Sequence, residues 1–327
     1  MCSLFGLIDF KECLSTHTKN KILNTLAREC QVRGTDATGI AYNFNDRLRI
    51  YKRPLPARKM KIHIPHDVNV VMGHTRMTTQ GNAQFNQNNH PFLGHVDGSN
   101  FALAHNGVLW NDKELRMEEN LPTTSVETDS YVAVQLLEQQ KTLDFDSLQA
   151  MAEKVEGSFV FTVLDDKNNI YFVKGDNPLA LYHYETCGLY VYASTEAILD
   201  CALTRLGIIS IEHQKINICC GDILKIDSTG AMDQGMFDTT NLMMFDYRYF
   251  RRDWWNVPED CKSEPQDVKQ LKDFASSIGV SREDIDLLLS YGYFVEEIEE
   301  MLYQPGVIEE VLCEILSECA YDYCGEF

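Results

Sequence analysis

Short apolar runs, many of them alternating with polar residues, dominate the chain up to about residue 230. Ten runs have the length and period of β-strands: SLFGLIDF, ATGIAYNF, RLRIYKR, VNVVMGHTR, FALAHNGVLW, SFVFTVLD, IYFVKG, LALYHYE, LYVYAST and GDILKID. The turn sequences DDKNN and ETCG each separate two runs and predict β-hairpins. Strands joined by hairpins predict antiparallel sheets.

Four segments among these strands have apolar residues at helical spacing. In NKILNTLAREC, the residues Ile22, Leu23, Leu26 and Cys30 fall on one face. TEAILDCALTRLG ends at Gly207, which predicts a helix C-cap. The other two segments are TDSYVAVQLLEQ and SLQAMAEKV. Helices that cover antiparallel sheets predict an α+β fold for this part of the chain.

A helical pattern with acidic outer faces begins near residue 265. Ser281 and Asp284 have the spacing of a capping box, and one later helical segment stops at Pro305. These short amphipathic segments predict a small C-terminal helical bundle.

Charge places a boundary between the two regions. The chain has a net charge of −20, and residues 259–327 hold 18 acidic and four basic side chains, a net charge of −14. We predict a first domain at 2–235, an aromatic-rich linker at 236–264 and an acidic helical domain at 265–327. The aromatic and arginine side chains of the linker could anchor a partner or pack on the chain's own domain.

Composition excludes several classes of function. The acidic balance argues against nucleic-acid binding, which needs clustered Lys and Arg. No apolar run is long enough for a membrane span, and no secretory signal is recognisable. Eleven cysteines without framework spacing indicate reduced thiols, and therefore a cytoplasmic protein. No zinc-ligand spacing and no phosphate-binding loop is present, so we expect neither metal nor cofactor.

Cys2 directly follows the initiator methionine. Removal of Met1 would leave its thiol beside a free α-amine, whose pKa of about 7.7–8.0 suits a general base at neutral pH. Such a residue is a compact nucleophile–base pair. A Met-Cys start also arises by chance, so Cys2 alone predicts little.

Five further motifs follow in order: RGTDATG (33–39), GHTRMTTQG (73–81), NNHPF (88–92), AHNGVL (104–109) and ETDS (127–130). Together with Cys2, they resemble the glutaminase domain of class II glutamine amidotransferases, above all that of glucosamine-6-phosphate synthase. The resemblance covers roughly residues 2–230. It implies an N-terminal-nucleophile hydrolase fold, a four-layer αββα sandwich of two antiparallel sheets, and glutamine as the substrate.

The resemblance also implies a role for individual residues in amide hydrolysis. Cys2 would attack the γ-carbonyl of glutamine and form a γ-glutamyl thioester. The side chain of Asn106 and the backbone N–H of Gly107 would stabilise the oxyanion. His74 and His105 follow apolar runs and are interpreted as buried structural histidines.

Glutamine also carries an α-carboxylate and an α-ammonium that a selective site must hold. Arg76 can donate two parallel hydrogen bonds to the carboxylate, and Asp129 can pair with the ammonium. Thr79 matches a family position that contacts glutamine. We expect Arg33 and Asp36 to brace the loop beneath Cys2.

Two residues depart from the family pattern, since Met77 replaces a tryptophan and Gln80 replaces a histidine. No sugar-isomerase domain follows in this sequence, so we expect the ammonia acceptor, if there is one, on a partner protein bound through the C-terminal tail. Two alternatives remain open. The chain could hydrolyse another γ-glutamyl amide, or it could be a regulatory or binding protein that keeps the fold without turnover.

Overall fold

The structure is a computed structural model that describes residues 2–242, 266–290, 295–303, 306–308 and 311–312. It divides into two compact units, Met1–Asp246 and Tyr247–Phe327. Most of the predicted linker lies outside the described residues, and the predicted domain limits stay predictions.

Two antiparallel sheets form the centre of the first unit. Sheet A has the strand order β11-β9-β10-β1-β4-β2-β3, and sheet B has the order β13-β12-β8-β7-β6-β5. The strands of sheet A are β1 (Ser3–Asp9), β2 (Ala37–Asn43), β3 (Leu48–Arg53), β4 (Val70–Arg76), β9 (Ala180–Tyr184), β10 (Leu189–Ala193) and β11 (Gln214–Lys215). The strands of sheet B are β5 (Phe92–Val96), β6 (Ser99–Leu109), β7 (Gly157–Asp165), β8 (Ile170–Lys174), β12 (Asp222–Ile226) and β13 (Met232–Met236).

Helices cover the outer face of each sheet. The helices of this unit are α1 (Thr16–Cys30), α2 (Asp112–Glu118), α3 (Tyr131–Gln140), α4 (Phe145–Lys154) and α5 (Glu196–Arg205). Helices α1 and α5 share a hydrophobic cluster with sheet A, whereas α3 and α4 share another with sheet B. A third cluster, between the sheets, contains residues of both. The arrangement is the predicted four-layer sandwich.

The burial of β1 on both faces explains why its sequence is mostly apolar. Phe5 and Leu7 belong to the cluster beneath the helices, and Leu4 and Ile8 belong to the cluster between the sheets. Because successive side chains of a strand point to opposite faces, a strand covered on both sides needs apolar residues at nearly every position. This central strand holds the residue before it, Cys2, at one end of sheet A.

The second unit contains helices α6 (Gln266–Ser277), α7 (Arg282–Ser290) and α8 (Val295–Leu302). Leu271, Ile285 and Ile298 are among the buried side chains of their common core. Ser281 and Asp284 make both hydrogen bonds of the predicted capping box, at 3.0 and 3.3 Å. The C-terminal helical bundle is therefore present in the described part of the tail. None of the described helices has the combination of length and apolar character that crossing a membrane requires.

Candidate active site

Cys2 lies at the start of β1 and is 8% exposed. Strand β1 pairs with β4 on one side, and the register sets Ser3 opposite Thr75, so Cys2 lies near the end of β4. The Nε of Arg33 donates to the Cys2 carbonyl at 3.0 Å. The Cys2 thiol donates to the Met77 carbonyl at 3.5 Å. Burial raises the pKa of this thiol, so its ionisation needs a base or a positive charge nearby.

A narrow cavity opens beside Cys2. Side chains from both sheets and from three loops line it: Cys2, Arg76, Met77, Thr79, Gln80, His90, His105, Gly107, Thr128, Asp129 and Ser130. Five of the seven residues predicted for the site are in this lining, namely Cys2, Arg76, Thr79, Gly107 and Asp129. Of the other two, Arg33 contacts the backbone of Cys2, and Asn106 precedes Gly107 on β6.

Arg76 ends β4 and is 2% exposed. Its Nη1 donates to Oδ1 of Asn89 at 2.7 Å, and its Nη2 donates to the carbonyls of Gln80 at 2.6 Å and Gly81 at 3.4 Å. These acceptors are neutral oxygens, so they orient the guanidinium without neutralising its charge. Burial lowers the pKa of Arg76, although the side chain stays cationic.

The loop after Arg76 borders the cavity and is held at its base. The carboxylate of Asp36 accepts from the backbone N–H of Thr78 at 2.6 Å. Met77 and Thr79 are exposed, whereas Gln80 is half-buried and donates to the Asp112 carboxylate at 3.5 Å. The tryptophan-to-methionine departure thus lies on an open, solvent-facing part of the rim.

Asp129 is 3% exposed and lies in the segment between α2 and α3. Its Oδ2 accepts from the backbone N–H of Leu109 at 2.7 Å, and its Oδ1 accepts from the Ser130 hydroxyl at 3.3 Å. Its carboxylate makes no ion pair with a described residue. A negative charge that is held only by neutral donors remains able to bind a cationic group.

Asn106 and Gly107 lie on β6, in the register opposite Val160 and Phe159. The Asn106 carbonyl accepts from Asn177 at 3.1 Å, but its side-chain Nδ2 has no hydrogen-bond partner among the described residues. Asn106 is 1% exposed, so this nitrogen lacks compensation by bulk water. Such a buried donor is available to an acceptor on a ligand or an intermediate.

Gly107 can only be glycine in this conformation. Its φ is +151°, and a Cβ would overlap the Ser158 carbonyl oxygen. The absence of a side chain leaves the backbone N–H of Gly107 open to close approach.

Three buried histidines lie together at the cavity, and two of them, His90 and His105, line it. The rings of His74 and His90 are 4.2 Å apart between centroids, and those of His90 and His105 are 6.4 Å apart. Burial lowers the pKa of all three, that of His74 to about 3. His105 exchanges a 2.8 Å hydrogen bond with the hydroxyl of Ser130. The histidines are therefore neutral packing groups at physiological pH, as expected for His74 and His105.

Sequence reasoning assigned no part in the site to Lys52 or Asn89. Asn89 is fully buried and contacts Arg76, and the Lys52 ammonium donates to the carbonyls of Asn89 at 2.5 Å and Pro91 at 2.9 Å. The NNHPF motif was the available signal for Asn89. No comparable signal exists for Lys52, because its partners are backbone carbonyls.

The chain is similar to known proteins in sequence and in structure. Residues 74–200 match the family described as a glutamine amidotransferase domain. The glutamine–fructose-6-phosphate aminotransferase (isomerizing) of Staphylococcus epidermidis is 32% identical over 188 residues, which cover 55% of this chain and 30% of that protein. The enzyme of the same name from Staphylococcus aureus is 32% identical over 190 residues. This chain thus matches about 30% of the length of these curated relatives.

Two solved structures share the fold. One is described as the allosteric regulatory enzyme of purine biosynthesis, with a TM-score of 0.57 and 20% identity over 72% of this chain and 49% of that one. The other is the glutamine phosphoribosylpyrophosphate amidotransferase of B. subtilis, with a TM-score of 0.56 and 20% identity over 73% of this chain and 50% of that one.

The layered sheets, with a cysteine at the start of a central strand, define an N-terminal-nucleophile hydrolase fold. Within that class, the ordered motifs and the domain match at residues 74–200 support a class II glutamine amidotransferase domain. The curated relatives that match this chain are enzymes.

Proposed function

We propose that this chain hydrolyses the side-chain amide of glutamine with Cys2 as the nucleophile. The observation that supports this most strongly is the unpaired Nδ2 of Asn106, buried beside Gly107 at the edge of a cavity that also contains Cys2. A buried donor without a partner is suited to an oxygen that becomes negative only during the reaction.

The chemistry begins with removal of Met1, which gives Cys2 a free α-amine. The amine takes the thiol proton, and the sulfur attacks the γ-carbonyl carbon while the C=O electron pair moves to oxygen. Asn106 Nδ2 and the Gly107 N–H donate to this oxyanion. Its collapse breaks the C–N bond, and the amine returns its proton to the leaving ammonia. Water then attacks the thioester, giving glutamate and the free thiol.

Two charged residues select glutamine in this proposal. Arg76 holds the α-carboxylate, and Asp129 holds the α-ammonium. Each side chain is nearly fully buried and held by neutral partners, and each lines the cavity. Thr79 at the rim contributes a hydroxyl to substrate binding. Arg33 supports Cys2 through its backbone carbonyl rather than contacting the substrate.

The decisive experiment measures glutamate released from glutamine by purified protein whose N-terminus is defined by mass spectrometry. Active protein should lack Met1, and the Cys2→Ala variant should be inactive. A tag left in front of Cys2 should abolish turnover without unfolding the protein, because it removes the free α-amine. Full activity in protein that retains Met1 would contradict the mechanism.

A second candidate function keeps the nucleophile and changes the leaving group. It is favoured by the exposed Met77, 40% accessible on the rim where the family has tryptophan. A panel of γ-glutamyl amides, compared by kcat/KM, separates the two activities. Binding of glutamine without turnover of any amide would favour a regulatory protein instead.

The fate of ammonia is the last part of the proposal. We place the acceptor on a partner protein that binds the acidic C-terminal tail. Such a partner should be basic, and its binding should weaken with salt, since exposed charges are screened beyond about 8–10 Å. Truncation after Pro258 should keep glutaminase activity and lose the partner. A folded but inactive truncated protein would contradict this assignment.

A further inference from the structure

Asn89 has an unusual position for an asparagine in a loop. It is fully buried, its Nδ2 donates to the Ala83 carbonyl at 2.7 Å, and its Oδ1 accepts from Nη1 of Arg76 at 2.7 Å. The Asn89 amide is thus held by the Ala83 carbonyl and in turn holds the Arg76 guanidinium. Asn89 is not among the residues that line the cavity, so it can act only through Arg76.

Lys52 holds the backbone of the same loop. Its ammonium donates to the carbonyls of Asn89 at 2.5 Å and Pro91 at 2.9 Å, and its own carbonyl accepts from the Asn86 side chain at 2.8 Å. Strand β3 therefore clamps the loop on which the Asn89 side chain depends. Burial, and secondarily the charge of Arg76, lowers the pKa of Lys52 to about 8.

Neither cation makes an ion pair within the described residues, although Arg76 is buried and Lys52 is half-buried. Arg76 donates to Asn89, Gln80 and Gly81, and Lys52 donates to two backbone carbonyls. Two positive charges held close together without a directly bonded carboxylate cost stability, although the carboxylates of Asp36, Asp129 and Glu127 attract Arg76 from a distance. Such an arrangement is useful where an anionic ligand bonds directly to the cation.

We propose that Asn89 and Lys52 are positioning residues that hold Arg76 toward the α-carboxylate of the substrate. Lys52 fixes the loop, the loop fixes the Asn89 amide, and that amide fixes the guanidinium. The inference rests on the proposed function, because it assumes that Arg76 binds this carboxylate.

The test compares two substrates that differ only in the group at issue. Glutamine has the α-carboxylate, and 4-aminobutanamide is the same molecule without it. In the Asn89→Ala variant, the KM for glutamine should rise at least about tenfold, the scale of one lost hydrogen bond to a charged group, with kcat nearly unchanged. The kinetics with 4-aminobutanamide should not change. Lys52→Met should show the same selectivity with a smaller effect, because it acts one step further away.

A double-mutant cycle gives an independent measure of the coupling. Once Arg76→Ala has removed the guanidinium, Asn89→Ala should add no further loss of glutamine affinity. Asn24→Ala is the matched control, since Asn24 also anchors a loop, through two hydrogen bonds to the backbone of Ile62, but contacts none of these residues. It should lower stability without changing the preference between the two substrates.

Outcomes that overturn the proposal are distinct from failure of the proposed function. Equal losses on both substrates, or additive losses in the cycle, would make Asn89 a merely structural residue. Glutamine binding measured by calorimetry in the Cys2→Ala background repeats the cycle without turnover. An inactive wild-type protein that still shows the coupling would reject hydrolysis and keep the positioning role. An Arg76→Ala variant with unchanged glutamine affinity would reject the positioning role.

Discussion

The two sides of the cavity satisfy their polar groups in opposite ways. On the side of sheet A, the Arg76 guanidinium already donates hydrogen bonds to the Asn89 side chain and to two backbone carbonyls. On the side of sheet B, the Nδ2 of Asn106 has no partner. A buried charge without hydrogen bonds is far more costly than a buried neutral amide without them. The Arg76 side chain proposed to bind the substrate can thus be hydrogen-bonded before the substrate arrives, whereas the oxyanion donor can stay unpaired until the oxyanion forms.

The largest effect on activity should come from Asn106, the unpaired donor on the side of sheet B. Asn106→Ala should lower kcat by about 10²–10³, because it removes a donor that pairs only in the transition state. The KM for glutamine should change little. Steady-state kinetics check this, with thermal unfolding to show that β6 is intact. A raised KM with normal kcat would place Asn106 in substrate recognition and erase the contrast between the two sides.

Asp129 should have the next largest effect. Asp129→Asn keeps an acceptor for the Leu109 N–H and loses the negative charge. The kcat/KM for glutamine should fall by a factor that corresponds to about 2–3 kcal/mol, the lower range for breaking a buried charge pair. Glutaramate, which lacks the α-ammonium, should be hydrolysed equally well by both proteins. Equal losses on the two amides would mean that Asp129 serves only the backbone of β6.

The sequence predicted most of this architecture, and the exceptions have physical causes. The ten predicted strands are present, but β5 and β13, the two edge strands of sheet B, were missed. Each has only five residues, and MDQGM is also mostly exposed and without an apolar face. The two-residue β11 and the short polar helix α2 (DKELRME) carry too little pattern to be recognised.

The residues of the site also divide into those that the sequence could predict and those that it could not. Cys2, Arg76 and Asp129 could be predicted, because ordered motifs surround them, and the structure places all three at one cavity. Lys52 could not, since in RLRIYKR it resembles the exposed arginines around it and its partners are carbonyl oxygens. Contacts to the backbone leave no residue-type signature in a sequence.

Lys52 also makes the folding stability of the protein depend on pH. Its pKa is about 8 in the folded protein and near 10.5 ordinarily, so between these values the unfolded chain binds more protons. Folding stability should therefore rise with pH across this window and become independent of the Lys52 ionisation below about pH 8. Because Lys52 is only half-buried by solvent exposure, the gain relative to Lys52→Met should be about 1–2 kcal/mol. Denaturant unfolding of the two proteins at pH 7.5 and 10.5 measures this gain. If the ammonium were solvated, the free energy of unfolding would change with pH by the same amount in both proteins.

The smallest effect should come from Thr79 on the rim, where water competes for every contact. Thr79 is exposed, so its hydroxyl contributes at most one neutral hydrogen bond to glutamine, worth about 0.5–1.5 kcal/mol. Thr79→Ser should be nearly silent, and Thr79→Ala should raise the KM for glutamine by about two- to tenfold with kcat unchanged. Thr78→Ala, in the same exposed loop but outside the cavity lining, is the matched control. A loss of kcat in Thr79→Ala, or an equal effect of Thr78→Ala, would show that the loop acts by moving as a whole rather than through a single hydroxyl.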